Sequence, residues 1–222
     1  MPIGYALLFL FACVWAAAFL YLATRSFKVL GVTLLLGAIQ LLLASGGFFE
    51  DTSRVPPRAF VLLAPAMAII VSILVLKKGR GLMRGASMPA LVLLHVCRIP
   101  VELVLHAAWQ HGLAPQAMTY EGSNFDIVSG CTAILIWLYL RRSAHPSKAL
   151  LVGWNLLCLG LLFNIVIMAV LSLPGPLQVL NPEVPNRLVL LAPYVLLPAI
   201  VVPAVLFAHL CALLKLLGSR HS

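Results

Sequence analysis

Four ionisable residues stand three and four positions apart inside one apolar run, Pro89 to Gln110: His95, Arg98, Glu102 and His106. At about 100° per residue they share an arc of roughly 80° and climb about 16 Å along a helix. No other apolar stretch holds an acid or an arginine in its interior. An ionised group at the centre of a membrane helix costs roughly 2.5–3.5 kcal/mol, so this stripe must face the bundle interior or water. One turn separates Arg98 from Glu102, which predicts an ion pair between them. Arg98 is then the group that attracts an anion, while Glu102 and His106 bind or relay protons, since histidine titrates near neutral pH. Pro100 lacks a backbone donor and is expected to open the helix between them.

The run leads into the longest polar stretch, His111 to Asp126, which carries Tyr120, Glu121, Asn124 and Asp126, with Gly122 and Ser123 suited to a tight turn. If this loop folds inward it can lid a cavity beside the stripe. Glu102, His106, His111, Glu121 and Asp126 form a weak metal-candidate set, because zinc takes three or four N, O or S ligands. No HExxH motif supports it. His95 and His209 lie at similar depth on different helices, as bis-imidazole haem ligation requires. No cofactor is assigned from these patterns. Gln40, Asn155 and Asn164 are uncharged groups of the kind that join helices, and Asn164 can also reach a central cavity. The five cysteines lie in apolar stretches without a CxxC pair, as small apolar fillers do.

The elements that position these groups follow from composition. Of 222 residues, 63% are hydrophobic and 9% charged, against about a quarter charged in soluble domains. That excludes a soluble enzyme, a disordered tail and a secreted disulfide scaffold. The expected fold is an all-α membrane protein with seven transmembrane helices at 3–24, 29–49, 59–76, 89–109, 127–140, 149–172 and 188–216. A crossing takes about 20 apolar residues; the fifth is short, and the last holds Pro193, Pro198 and Pro203, which should bend it. The opening residues lack a basic leader region, and their apolar run exceeds the roughly 7–15 residues of a signal peptide core, so they read as the first crossing.

The net charge of +9 is topological and gives no reason to expect nucleic acid. Arg25 and Lys28 follow the first span, Lys77, Lys78, Arg80 and Arg84 the third, Arg141, Arg142 and Lys148 the fifth, and Lys215 and Arg220 the seventh. The alternate loops hold Glu50, Asp51, Glu121, Asp126 and Glu183, with Arg54, Arg58 and Arg187. The positive-inside rule puts the N-terminus outside and the C-terminus in the cytoplasm, in a bacterial inner membrane.

Two segments recur. Val55-Pro56-Pro57-Arg58 with Val61-Leu62-Leu63-Ala64-Pro65 matches Val184-Pro185-Asn186-Arg187 with Val189-Leu190-Leu191-Ala192-Pro193; Leu20-Tyr21-Leu22 with Arg25-Ser26 matches Leu138-Tyr139-Leu140 with Arg142-Ser143. Residues 1–76 and 127–216 are therefore candidate parallel repeats, with 89–109 as linker. This 3+1+3 layout resembles, in architecture, the seven-helix sugar transporters and the rhodopsin-like bundles. The transporters' Pro-Gln on the repeat helix is absent, since Pro115-Gln116 lies in a loop. The retinal lysine is absent too, since the last span has only Lys215, at its end. The resulting expectation is a multi-pass inner-membrane protein that binds or transports a small polar or anionic solute, with proton coupling. The expected ligand residues are His95, Arg98, Glu102, His106, Tyr120, Glu121, Asn124, Asp126 and Asn164. The alternatives are an intramembrane enzyme acting on a lipid or isoprenoid, with or without metal or haem, and a non-catalytic assembly subunit. The expected partners are the lipid bilayer, that ligand or a lipid, and in a homo-oligomer a second copy.

Overall fold

The computed structural model describes residues 1–176 and 178–218, and these contain helices and no strands. Arg220, one of the bases used to orient the chain, lies outside the described residues. Nine α-helices follow in order: α1 (Ile3–Thr24), α2 (Phe27–Ser45), α3 (Phe60–Val75), α4 (Lys77–Gly85), α5 (Met88–Leu94), α6 (Arg98–Gln110), α7 (Asp126–Arg142), α8 (Lys148–Leu171) and α9 (Val202–Leu217). Five stretches are long and apolar enough to cross a membrane: α1, α2, Met88–Gln110, α8 and Leu197–Leu217. A sixth is reached if the bent pair α3 and α4 counts as one. The expected fifth span, α7, has 17 residues and starts and ends on charges, Asp126 and Arg141-Arg142.

Span 4 is the axis of the bundle, and two thirds of its best apolar window is buried. It is not one regular helix. A 3-10 turn, His95–Cys97, joins α5 to α6. Pro100 explains the position of that turn. Its ring crowds the carbonyl four residues back, that of Val96, and it offers no N–H in return, so the chain tightens there. Around this axis pack α1, α7 and α9.

The 77–88 stretch, expected as a plain loop, folds into α4 and turns 94° away from α3. Two features hold it. Arg80 Nη1 donates to the carbonyls of Leu74 (3.3 Å) and Val75 (2.9 Å), two of the last acceptors of α3. Gly79 sits so close to the end of α3 that a Cβ there would lie 2.1 Å from the Ile73 carbonyl oxygen. Met83 is fully buried, while Lys77, Lys78 and Arg84 are exposed. The sequence hides this helix because its three glycines disfavour helix; packing against α9 and burial of Met83 override that local preference.

The last span also departs from expectation. Leu188–Leu190 forms a 3-10 turn, the chain then breaks around Pro193, and continuous helix begins only with a π-turn at Leu197–Val201, leading into α9. The recurring Val-Leu-Leu-Ala-Pro element thus has two conformations: Val61–Pro65 lies inside α3, whereas Val189–Pro193 lies in the break.

Hydrogen bonds fix which ends lie together. At one end the Ser87 N–H donates to Ala23 O (2.9 Å), Lys215 Nζ to Ala86 O (2.7 Å) and the Ser147 N–H to the Tyr139 hydroxyl (2.8 Å). This end gathers the basic termini of α1, α4, α7, α8 and α9. At the other end the N–H groups of Arg187 and Leu188 both donate to Leu113 O (2.9 Å each); the 46–59, 111–125, 172–176 and 178–190 segments lie here.

Candidate buried ionic site

Gly130 decides where α7 lies. A Cβ there would come within 2.7 Å of Ile99 Cγ1 and 3.1 Å of Ile99 N, so the two backbones touch at the 3-10 turn. One turn earlier on α7 stands Asp126, and this close approach carries it onto Arg98. Arg98 Nε faces Asp126 Oδ2 at 2.8 Å, with both side chains almost fully buried. Arg98 Nη2 donates to Cys158 O on α8 (3.2 Å). Ser129 Oγ donates to Asp126 Oδ1 (3.4 Å). The carboxylate also sits in the first turn of its helix, where the positive end of the dipole favours it.

The expected pairing of Arg98 with Glu102 is therefore corrected. Arg98 takes the acid from the neighbouring helix, and Glu102 takes Asn124. Asn124 Nδ2 donates to Glu102 Oε1 (2.6 Å) and to Met118 O (3.0 Å), and its Oδ1 accepts from the Asp126 N–H (3.1 Å). The 111–125 loop does fold onto the stripe, with Ala114, Met118, Thr119 and Asn124 all buried. A turn closed by the Gly122 N–H on Thr119 O (2.9 Å) brings Asn124 inward. Helix periodicity shows which residues share a face but not which acid a loop will deliver.

A cavity of about 100 Å³ borders this cluster. Its walls are Val, Leu, Ile, Ala and Phe side chains from α3, α6, α8 and the start of the last span; Arg98, Glu102, Asp126 and Asn186 are the strongly polar groups on it. Three of those groups have a buried atom with no hydrogen-bond partner among the described residues: Arg98 Nη1, Glu102 Oε2 and Asn186 Oδ1. Gln40 Oε1, His95 Nδ1, Arg98 Nε, His106 Nδ1 and His209 Nε2 are buried without a hydrogen-bond partner among the described residues as well, so these atoms are not confined to the cavity. Asn186 was missed by sequence reasoning, although it sits within the recurring Val-Pro-x-Arg element. Its own N–H donates to Ser172 O (2.7 Å) and its Nδ2 to Ala169 O (3.3 Å), which hold it against the end of α8.

The other expected residues lie elsewhere. His106 stacks on Tyr120 (centroids 4.7 Å apart) and stands 3.7 Å from Glu121, forming a separate group at the rim. Asn164 is exposed and donates to Ser123 O (2.9 Å), so it tethers the loop and does not line the cavity. His95 stacks face to face on His209 (centroids 4.1 Å), and His209 Nδ1 lies 3.0 Å from Asn155 Oδ1. Stacked rings do not aim their nitrogens across a gap, so the bis-imidazole haem arrangement is not what these residues form. The set Glu102, His106, His111, Glu121 and Asp126 does not converge either. Among the described residues no group of three or more His, Cys, Asp or Glu side chains is placed to hold a metal. The cysteines are all free, and Cys131 alone of the five is exposed.

One rim contact has a pH dependence. Asp51 accepts from Ser53 Oγ (2.7 Å) and pairs with Arg54 Nε and Arg58 Nη2 (3.1 Å each). The Ser53 hydrogen bonds first, then the arginines, hold its carboxyl below the ordinary aspartate value. A lowered folded pKa stabilises the folded loop above the unfolded value, and that contribution is lost as pH falls through the folded value. The loop leading into α3 should thus be anchored at neutral pH and released below about pH 3.8. Amide exchange in residues 47–58 is expected to rise there, and Asp51→Asn should show the faster exchange already at neutral pH.

These observations define an all-helical bundle whose helices suit a membrane, with a buried Arg–Asp pair and an apolar cavity beside it. The chain belongs to the family described as a domain of unknown function, DUF8737, whose model matches residues 55–217. Every residue lining the cavity falls within that match. No curated protein and no solved structure matches the chain.

Proposed function

We propose that this chain is a multi-pass inner-membrane protein that binds a small ligand in the cavity beside Arg98, Glu102, Asp126 and Asn186. The observation that carries this reading is that the buried polar side chains of Arg98, Glu102, Asp126 and Asn186, brought from α6, α7 and the loop before the last span, border one otherwise apolar cavity. A mostly apolar concave space with a few polar groups on its wall is the usual form of a small-molecule site. The basic end of the bundle is the cytoplasmic one, with both the N-terminus and the 111–125 loop outside. α3 and α7 then count as crossings, for seven in all, with the α7 crossing short and flanked by charge. A parallel duplication of spans 1–3 and 5–7 about span 4 accounts for the two Val-Pro-x-Arg elements, whose backbones have since diverged.

The expected preference for an anion changes on this geometry. Arg98 is paired with Asp126, so no unpaired base borders the cavity to attract an anion. Val166 lines the cavity from α8, and Val166→Trp should fill it. Native mass spectrometry of the purified full chain is expected to show a one-to-one small-molecule adduct that Val166→Trp lacks at unchanged helix content. The same adduct in both proteins, or none in the first, would reject this site.

A further inference from the structure

A second cavity, of about 200 Å³, lies between α2, α3 and the last span, and it shares no lining residue with the one beside Arg98. The way α2 is anchored explains it. Gly37 lets this helix press on the last span, since a Cβ there would come within 2.5 Å of Ile200 Cδ1. Three residues on, Gln40 Nε2 donates to Val61 O of α3 (2.9 Å). Before these anchors, Val29, Val32, Thr33 and Leu36 follow one another at the spacing of a single helical face. That face looks onto Ile69, Ile70 and Ile73 of α3 and onto Pro203 and Phe207 of α9, across the cavity.

The cavity is larger than the roughly 150 Å³ that accepts benzene. Thr33 is the one neutral polar side chain on its wall, and its hydroxyl already donates to Val29 O (2.9 Å). Val32 lines the cavity and is 40% exposed, so the space reaches the apolar outer surface of α2, where Leu34, Leu35 and Ile39 are exposed too. Such walls suit hydrocarbon.

Lys28 is the one charged residue on the wall. It is exposed in the first turn of α2, at the basic end of the bundle, where the positive end of the helix dipole adds to its charge. No acid of the chain is placed to pair with it. Glu50, Asp51, Glu121 and Glu183 lie in the loops of the opposite end, and Glu102 and Asp126 in the buried cluster. At the same end as Lys28, α4 turns 94° from α3 and exposes Lys77, Lys78 and Arg84. A free anion would leave the apolar walls uncovered, and a neutral lipid would leave Lys28 without a counter-charge. We infer that this cavity holds part of an acyl chain of an anionic phospholipid, with its phosphate resting on Lys28.

The test reconstitutes the full chain in nanodiscs of equal phosphatidylcholine and phosphatidylglycerol, releases it in mild detergent and weighs it by native mass spectrometry. One retained phosphatidylglycerol per chain is expected, in preference to phosphatidylcholine. Lys28→Gln should lower that preference about fivefold, the contribution of one base at an anionic surface. Val32→Trp, at a position already 40% exposed, should fill the cavity and remove the lipid at unchanged helix content. Lys148→Gln is the control. Lys148 also opens a helix behind a serine cap at the basic end, but it lines neither cavity, and its loss should leave retention unchanged. Val166→Trp should keep the phospholipid, which is recognised by its mass, so the two cavities are scored separately. Equal retention of phosphatidylcholine, an equal effect of Lys148→Gln, or lipid that survives Val32→Trp would overturn this site. So would loss of the lipid in Val166→Trp, which would place it in the other cavity.

Discussion

Asp126→Ala is expected to lower the unfolding free energy of the protein by about 3–5 kcal/mol, the usual cost of stranding one member of a buried ion pair. The size follows from burial. Arg98 is 2% exposed and cannot turn to water. On the same helix, Glu102 Oε1 already accepts from Asn124 (2.6 Å). Removal of the carboxylate also strands the Ser129 hydroxyl that donates to it. The double change Arg98→Met with Asp126→Leu should cost far less than the sum of the single changes, because apolar groups of similar volume replace a pair whose desolvation offsets much of its attraction. Reversible unfolding in mixed micelles measures both. Additive losses would show that the two side chains do not act as a pair.

Gly130→Val carries the second large effect. The Cβ alone would press within 2.7 Å of Ile99 Cγ1 and 3.1 Å of the Ile99 backbone nitrogen. The side chain can turn aside, but the backbone nitrogen cannot, so α7 must retreat. Overpacking of this kind typically costs about 1–3 kcal/mol. Here the retreat also draws Asp126 off Arg98, one turn away, so the loss should approach that of Asp126→Ala. The diagnostic feature is non-additivity: Gly130→Val in the Arg98→Met, Asp126→Leu background should cost only the steric part. An equal loss in both backgrounds would mean that Gly130 does not position the ion pair.

The sequence carried much of this arrangement because the governing rule is simple. Charge in an apolar helix is costly, so the stripe at Arg98 and Glu102 had to face inward, and Pro100 had to disturb the helix near it. The interior location of Asn124 and the folding of its loop onto the stripe follow the same logic. The partner choice was not readable. Arg98 and Glu102 are ideal neighbours by helix spacing, and only the close approach at Gly130 gives the arginine to Asp126 instead. Asn186 escaped notice because it lies far along the chain in a loop, and only tertiary packing brings it to the cavity wall. Asn164 misled for the opposite reason: a polar residue within an apolar run suggests the interior, yet this one serves the loop from the outer face of α8. The α4 helix was hidden by its glycines, two of which have no contact that a side chain would disturb, while Gly79 is required by the tight corner after α3.

The cavity beside Arg98, Glu102, Asp126 and Asn186 is the proposed ligand site. A cryo-electron microscopy map of the full chain in nanodiscs, sharp enough to place side chains, tests it most directly. The expected result is density inside the cavity that no protein side chain accounts for. A map in which the cavity has collapsed or holds no added density would contradict it.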